Sequence, residues 1–237
     1  MGALRLEGVR PRVLAPVNLT LAAGELVFIC GPSGSGKSLL LRAVADLDPH
    51  AGEVWLGSEA RSTMAPARWR QRVGLLPADA FWWADAVGEH FPAAARERSA
   101  PTRRASNPGE KFPPPAADSR LDGLLAALGF APDVLDWSVA RLSTGERQRL
   151  ALARLLAQGP EALLLDEATA NLDPGNRERV ELVTAAYRAA HAAAVLWVSH
   201  DPEQRERLGG RQFGIRDGRL GQTEAVSADP ARLEDRR

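Results

Sequence analysis

The run LVFICGPSGSGKSLLLRAV, Leu26 to Val44, restricts the fold more than any other part of the chain. Its first five residues are apolar without a break, as in a strand covered on both faces, a situation typical of parallel sheets. From Lys37 onward the apolar positions return at helical spacing. Between the two lies GPSGSGKS, Gly31 to Ser38, whose glycines permit positive φ and close approach to the backbone. Strand, glycine-rich loop and helix in that order call for a layered α/β fold with the loop at a strand end.

The octet matches G-x-x-x-x-G-K-[ST], a spacing that cradles phosphates. Gly31, Pro32, Ser33, Gly34, Ser35, Gly36, Lys37, Ser38 and Leu39 form the expected binding loop. Its backbone N–H groups would wrap a β-phosphate. Lys37 would bridge the β- and γ-phosphate oxygens, and the Ser38 hydroxyl would ligate Mg²⁺. The motif speaks for a nucleoside triphosphate and says nothing of its use.

Similar buried runs recur as VGLLP, ALLLDE and AAVLWVSH. Helical segments separate them: KSLLLRAVADL, a segment opening at LSTGE, ERVELVTAAYRAAH and EQRERL. Strands alternating with helices predict βαβ units and a mainly parallel central sheet. The alternating runs LRLEGV and VNLTLA precede it and predict an N-terminal antiparallel β portion, while FGIRDGRLGQ reads as a hairpin around Asp217-Gly218. SRLDGLLAALGF reads as an amphipathic helix. We expect one domain over 1–237 with a small helical subdomain over 85–158. Within it, 92–118 is rich in Pro, Ala, Arg and Ser without an apolar period, and reads as a poorly ordered surface insertion.

A chain of 237 residues can bury the core of one large α/β domain. Its 30 basic and 30 acidic residues cancel, so no global field draws it to nucleic acid or to an anionic membrane. Cys30 stands alone, which excludes an internal disulfide or a metal cluster and fits a reducing cytosol. The N-terminus lacks the apolar core of a signal peptide, and no run approaches the roughly 20 apolar residues that cross a bilayer. The expectation is a soluble chain without direct membrane insertion.

Two further strand ends carry candidate chemistry. ALLLDEA places Asp166 and Glu167 at the C-terminal edge of an apolar strand, where open parallel sheets bind ligands. Asp166 would hold the Mg²⁺ water shell, and Glu167 would take a proton from, or polarise, an attacking water. A pair of carboxylates capping the next helix is the plainer alternative. VLWVSHD puts His200 at the same edge, where its imidazole could meet a γ-phosphate or serve as an ordinary polar cap.

LSTGERQRLALARLL, Leu142 to Leu156, sets Ser143 and Glu146 in the S-x-x-E relation of a capping box, so a helix starts near Thr144. Its free N–H groups and positive end favour a phosphate, and Gly145 would let one approach. NLDPG places Asp173 at an N-cap with Pro174 at the first helical position.

Taken together, the ordered set GPSGSGKS, LSTGE, LLLDEA, ANLD and VSHD resembles the ATP-binding cassette (ABC) ATPase family over nearly the whole chain. The resemblance implies a P-loop fold, ATP and Mg²⁺ as cofactors, and two cassettes paired head to tail. Each ATP would be sandwiched between one copy's phosphate loop and the other's signature helix, so Ser143, Thr144 and Gly145 would act in trans, with Asp173 near the same interface. Glu167 and His200 would promote attack of water on the γ-phosphate while Lys37 stabilises the charge. The implied setting is the ATPase subunit of a bacterial transporter, bound to a permease at the inner face of the cell membrane. A homodimer is favoured over a heterodimer, and no nucleic-acid partner is implied. The compact length and AVLWVSHD are most similar to small cassettes linked to metal, chiefly iron, export. A nucleotide-gated module with vestigial or asymmetric hydrolysis is the alternative.

Three positions depart from the family pattern. Ala78 stands where a glutamine usually contacts Mg²⁺ and senses the membrane partner. Thr144 stands in the signature's glycine pair, where its Cβ is expected to restrict the backbone at the phosphate's approach, and Val9 to Leu14 contains no aromatic residue to stack on adenine. Arg10 or Arg12 could substitute by guanidinium stacking. Trp82 and Trp83, beside Ala78, cannot both point inward, so at least one is expected to be exposed as an anchor for the membrane subunit; the other tryptophans are expected in the core.

Overall fold

The computed structural model describes residues 4–93 and 121–223. The segment read as an insertion lies outside them from residue 94 onward. The central sheet is built on β3 (Leu26–Cys30), flanked on one side by β8 (Ala194–Val198), β7 (Ala162–Asp166) and β6 (Val73–Leu76). On its other side come β9 (Arg211–Arg216) and β10 (Arg219–Gln222). Every pairing is parallel except β9 with β10, the predicted hairpin. Asp217 and Gly218 both take positive φ at its turn, the requirement of a tight hairpin that follows strand twist.

The unbroken apolar runs have a direct cause. Leu26 and Phe28 of β3 face one core, and Val27 and Ile29 face another. In β7, Leu163 and Leu165 face the first core while Ala162 and Leu164 face the second. Both faces of the sheet are therefore covered, which removes the polar alternation of a one-sided sheet. One core is closed by α3 (Leu121–Ala127), α4 (Thr144–Leu156) and α5 (Pro174–His191). The other lies under α1 (Lys37–Val44) and a second sheet.

That second sheet is antiparallel, in the order β2-β1-β4-β5: β1 (Leu4–Arg10) and β2 (Val17–Leu21) as expected, with β4 (Ala51–Leu56) and β5 (Glu59–Ala60) in addition. These last two strands and α2 (Pro66–Arg72) had no counterpart in the sequence reading. Between β6 and β7 the described residues form only α3, α4 and short 3₁₀ turns. A last short helix, α6 (Pro202–Leu208), follows β8. Among the described residues, no helix is long and apolar enough to cross a membrane.

The tryptophans divide less simply than expected. Trp69 and Trp197 are fully buried. Trp55 and Trp137 are half-buried instead, each beneath a guanidinium, Arg5 at 4.8 Å and Arg141 at 3.9 Å from the ring centre. An indole at a sheet or turn surface keeps water off one face through such a cation–π contact.

Candidate functional site

Strand β3 ends at Cys30 and the loop Gly31–Gly36 turns the chain into α1. Gly31, Gly34 and Gly36 all have positive φ, 145°, 77° and 101°. At Gly31 a Cβ would sit 2.7 Å from the Ile215 carbonyl oxygen, and at Gly36 one would sit 2.9 Å from Leu14 Cδ2. Backbone shape thus favours glycine at all three positions, and lack of space adds to the demand at Gly31 and Gly36. Gly36 is the N-cap of α1 and no side chain caps the helix, so its first N–H groups remain open to an anion.

Lys37 is buried and donates to the carbonyl oxygens of Gly31 at 2.9 Å and Pro32 at 2.8 Å. Burial lowers the ammonium's pKa from its ordinary value, and the nearby Glu167 and Asp166 carboxylates oppose that effect. A phosphate would provide the countercharge that burial withholds.

Asp166 ends β7 and is buried. Burial raises its carboxyl above the ordinary aspartate value, against the lowering effect of a hydrogen bond with Ser38. Its Oδ1 is buried without a partner. A hydroxyl and a carboxylate with one oxygen unsatisfied are the hard oxygen donors that Mg²⁺ selects, beside open space for phosphates and water. The residues therefore fit Mg²⁺, which Ser38 and Asp166 would hold, directly or through water.

Glu167 follows with φ of 50°, a left-handed conformation unusual for a residue with a Cβ, and its N–H donates to the Val198 carbonyl at 3.1 Å. His200 leaves the neighbouring β8, and its Nε2 lies 3.0 Å from Glu167 Oε1. No helix begins after Asp166 and Glu167 until Pro174, so neither acid is a helix cap. Ser33, Gly34, Gly36, Lys37, Ser38, Leu39, Glu167 and His200 line one cleft of about 220 Å³.

Ser143, Thr144 and Gly145 do not line it. Ser143 is the N-cap of α4 and completes the predicted capping box: Glu146 N–H donates to Ser143 Oγ at 3.3 Å, and Ser143 N–H to Glu146 Oε2 at 2.8 Å. The backbone bond from Ser143 is the largest cause holding the Glu146 carboxyl below its usual value. Thr144 and Gly145 take ordinary φ, so position 144 asks for no glycine, and Thr144 meets no backbone restriction there. Ser143 and Thr144 are exposed.

Asp173 caps α5, accepting from Asn176 N–H at 3.0 Å, and is likewise exposed. A Cβ on Gly145 would lie 3.1 Å from Leu172 Cδ2, which places the start of α4 beside the turn before α5. The loop cleft and this paired surface, at the starts of α4 and α5, thus exist apart on one chain.

A third feature adjoins α4. Ala78 and Asp79 are exposed in the loop after β6. Phe81 and Trp83 are 73% and 60% exposed and stack at 6.5 Å, whereas Trp82 packs against the core. Arg154 lies 4.9 Å from both indoles and donates to the Phe81 carbonyl at 3.1 Å; Gln148 donates to the Pro77 carbonyl at 3.3 Å. Helix α4 therefore holds this aromatic ledge at two points. The exposed indole was expected; the exposed Phe81 beside it was not.

The sequence over residues 14–170 matches the ABC transporter family. Over 229 residues the chain is 38% identical to the Fe(3+) ions import ATP-binding protein FbpC of Streptomyces coelicolor, covering 93% of this chain and 61% of that protein's length. Over 196 residues it is 36% identical to the probable iron export ATP-binding protein FetA of Escherichia coli, covering 81% of this chain and 80% of that one. Its fold is shared with a dimeric bacterial ABC transporter cassette: the TM-score is 0.72 at 23% identity, over 94% of this chain and 98% of that one. The chain belongs to the ABC transporter family, and its P-loop fold is the one expected.

Proposed function

We propose that this chain is the ATP-binding and ATP-hydrolysing subunit of a bacterial ABC transporter, one domain over 1–237 whose 85–158 segment forms the helical part. The observation that carries the reading is the division of the site. Lys37, Glu167 and His200 converge on one cleft with Asp166 bonded to Ser38 beside it, while Ser143–Gly145 open outward from a different surface. A complete phosphate cradle and a displaced half-cradle suit two chains that exchange contacts.

The resident groups act as follows. Open N–H groups at the start of α1 bind the triphosphate, and Lys37 exchanges its loop carbonyls for β- and γ-oxygens. When bound, Mg²⁺ neutralises charge on those oxygens. Glu167 takes the proton of the attacking water, and His200, whose Nε2 lies 3.0 Å from that carboxylate, turns its one N–H to the γ-phosphate when ATP binds. The second chain's Thr144 and Gly145 N–H groups close over that phosphate, with its Ser143 hydroxyl and Asp173 at the rim. Loss of the γ-phosphate removes those charge-assisted bonds and the pair opens.

The retained Glu167–His200 pair favours turnover over a vestigial, merely gating site. A second copy of the chain and a separate permease complete the assembly, which places it peripherally on the inner membrane face. FbpC and FetA are named for iron moved in opposite directions, and metal transport is the cargo class we favour. Size-exclusion chromatography with light scattering tests the reading. The Glu167→Gln chain should become dimeric in saturating Mg-ATP, with turnover lost; a monomer there, alone and with its permease, would overturn it.

A further inference from the structure

Glu167 and His200 stand at the ends of separate strands, and their meeting at 3.0 Å needs something to hold both turns. The groups that do so are buried beneath them. Gln204, on α6, is wholly inaccessible to solvent. Its Oε1 accepts from Ser199 Oγ at 2.6 Å, and its Nε2 donates to Thr169 Oγ1 at 2.9 Å and to Glu181 Oε1 at 2.8 Å. Ser199 immediately precedes His200, and Thr169 lies two residues beyond Glu167. One amide therefore ties the turn that carries the carboxylate to the turn that carries the imidazole.

The direction of each bond is determined. Both amide hydrogens are in use, one on a carboxylate that Arg207 Nη2 holds at 2.8 Å. Reversing the amide would set its oxygen against that carboxylate, so the orientation is locked. Ser199 Oγ accepts from the Asp201 N–H at 3.1 Å, which leaves its own hydrogen for Gln204. Asp201 Oδ1 in turn accepts the Gln204 N–H at 3.1 Å. A buried network with its donors and acceptors paired is rigid.

We propose that Gln204 is a positioning residue for hydrolysis, a buried clamp that keeps the Glu167 and His200 side chains in register. This rests on the reading of those two residues as the hydrolytic pair. The left-handed φ of 50° at Glu167 adds a reason for a clamp, since a non-glycine residue stays in that region only when its surroundings dictate it. Misplacing a reacting group by about 1 Å costs on the order of 100-fold in rate.

The test is steady-state Mg-ATP turnover of the full chain, with melting temperature measured alongside. Gln204→Met keeps length and loses the amide. We expect kcat to fall about 10-fold or more with KM for ATP within about twofold, as an effect on geometry alone requires. Thr169→Val should act in the same direction, and Thr169→Ser, which retains the hydroxyl, should restore the wild-type rate. Tyr187→Phe, which loses a buried hydrogen bond to the Pro160 carbonyl at 2.8 Å outside this network, should lower melting temperature while sparing kcat. A wild-type kcat in Gln204→Met, or in Thr169→Val if the former does not fold, would overturn the proposal. So would losses of kcat in Gln204→Met and Tyr187→Phe that simply follow their losses of melting temperature. Glu167→Gln, run in parallel, separates the two levels. If it turns over like wild type, the hydrolytic reading falls and the clamp with it; if it is inactive while the clamp variants are normal, only the clamp falls.

Discussion

Helix α1 starts behind Gly36, in a left-handed conformation and with no side chain on its first N–H groups; helix α4 starts behind Ser143, with both halves of a capping box in place. Each start faces phosphate in the proposed assembly. The uncapped one leaves its donors to the ligand, so binding there completes the helix as well as holding the nucleotide. The capped one is finished by itself and has only the N–H groups of Thr144 and Gly145 to lend. The first is a primary cradle, with burial weighing against both Lys37 and Asp166 until ligand arrives. The second is a surface whose cap is already complete within the single chain.

Removing chemistry from the first region has the largest expected effect. Glu167→Gln should lower kcat by about 10²–10⁴-fold, the usual contribution of a general base, while ATP binding persists. Lys37→Ala should weaken ATP binding by about 10–100-fold, because a charged donor contributes about 1.5–3 kcal/mol; isothermal calorimetry reads this directly. Gly36→Ala should destabilise the chain by about 1–3 kcal/mol, since its φ of 101° and the 2.9 Å approach to Leu14 both resist a Cβ. Equal losses of stability in Gly36→Ala and Gly145→Ala would break the comparison, since Gly145 has ordinary φ and its nearest neighbour, a Leu172 methyl, lies slightly farther off at 3.1 Å. Ser143→Ala should cost about 1 kcal/mol through the lost cap and should weaken nucleotide-driven dimerisation, leaving ATP affinity of the single chain unchanged.

Titration separates the two regions by sign. The Asp166 carboxyl has a raised pKa in the fold, so without nucleotide its penalty is full at pH above that raised value and fades as pH falls through it to the ordinary aspartate range. Asp166→Asn should raise the melting temperature of the ligand-free chain at pH 7, with the gap closing on acidification. Glu146 behaves oppositely: its lowered pKa means stability present at neutral pH and lost as pH falls through the carboxylate range. Glu146→Gln should therefore melt slightly lower than wild type at pH 7 and match it in acid.

The elements most legible in the sequence carry a strong local pattern. The doubly covered strands β3, β7 and β8 showed as unbroken apolar runs, and Ser143 with Glu146 marked a helix start that the structure places at Thr144. AGEVWLGSEA was not read as β4 and β5, because its glycines break the alternation and its pairing with β1 is a long-range event. Trp55 and Trp137 were assigned to the core by residue type, which does not register the arginines that cover them. The Gln204 network was equally hidden. Its members come from three stretches of the chain, around residues 169, 181 and 199–207, and a glutamine in a short polar helix such as PEQRERL carries no mark of burial.

The ledge formed by Phe81 and Trp83 has a consequence for the cell that makes this protein. Two large rings, 73% and 60% open to water, form an adhesive spot until another surface covers them. In the proposed assembly the permease covers them, so chains made in excess of it would leave the spot bare, and balanced synthesis of the two components would limit clumping.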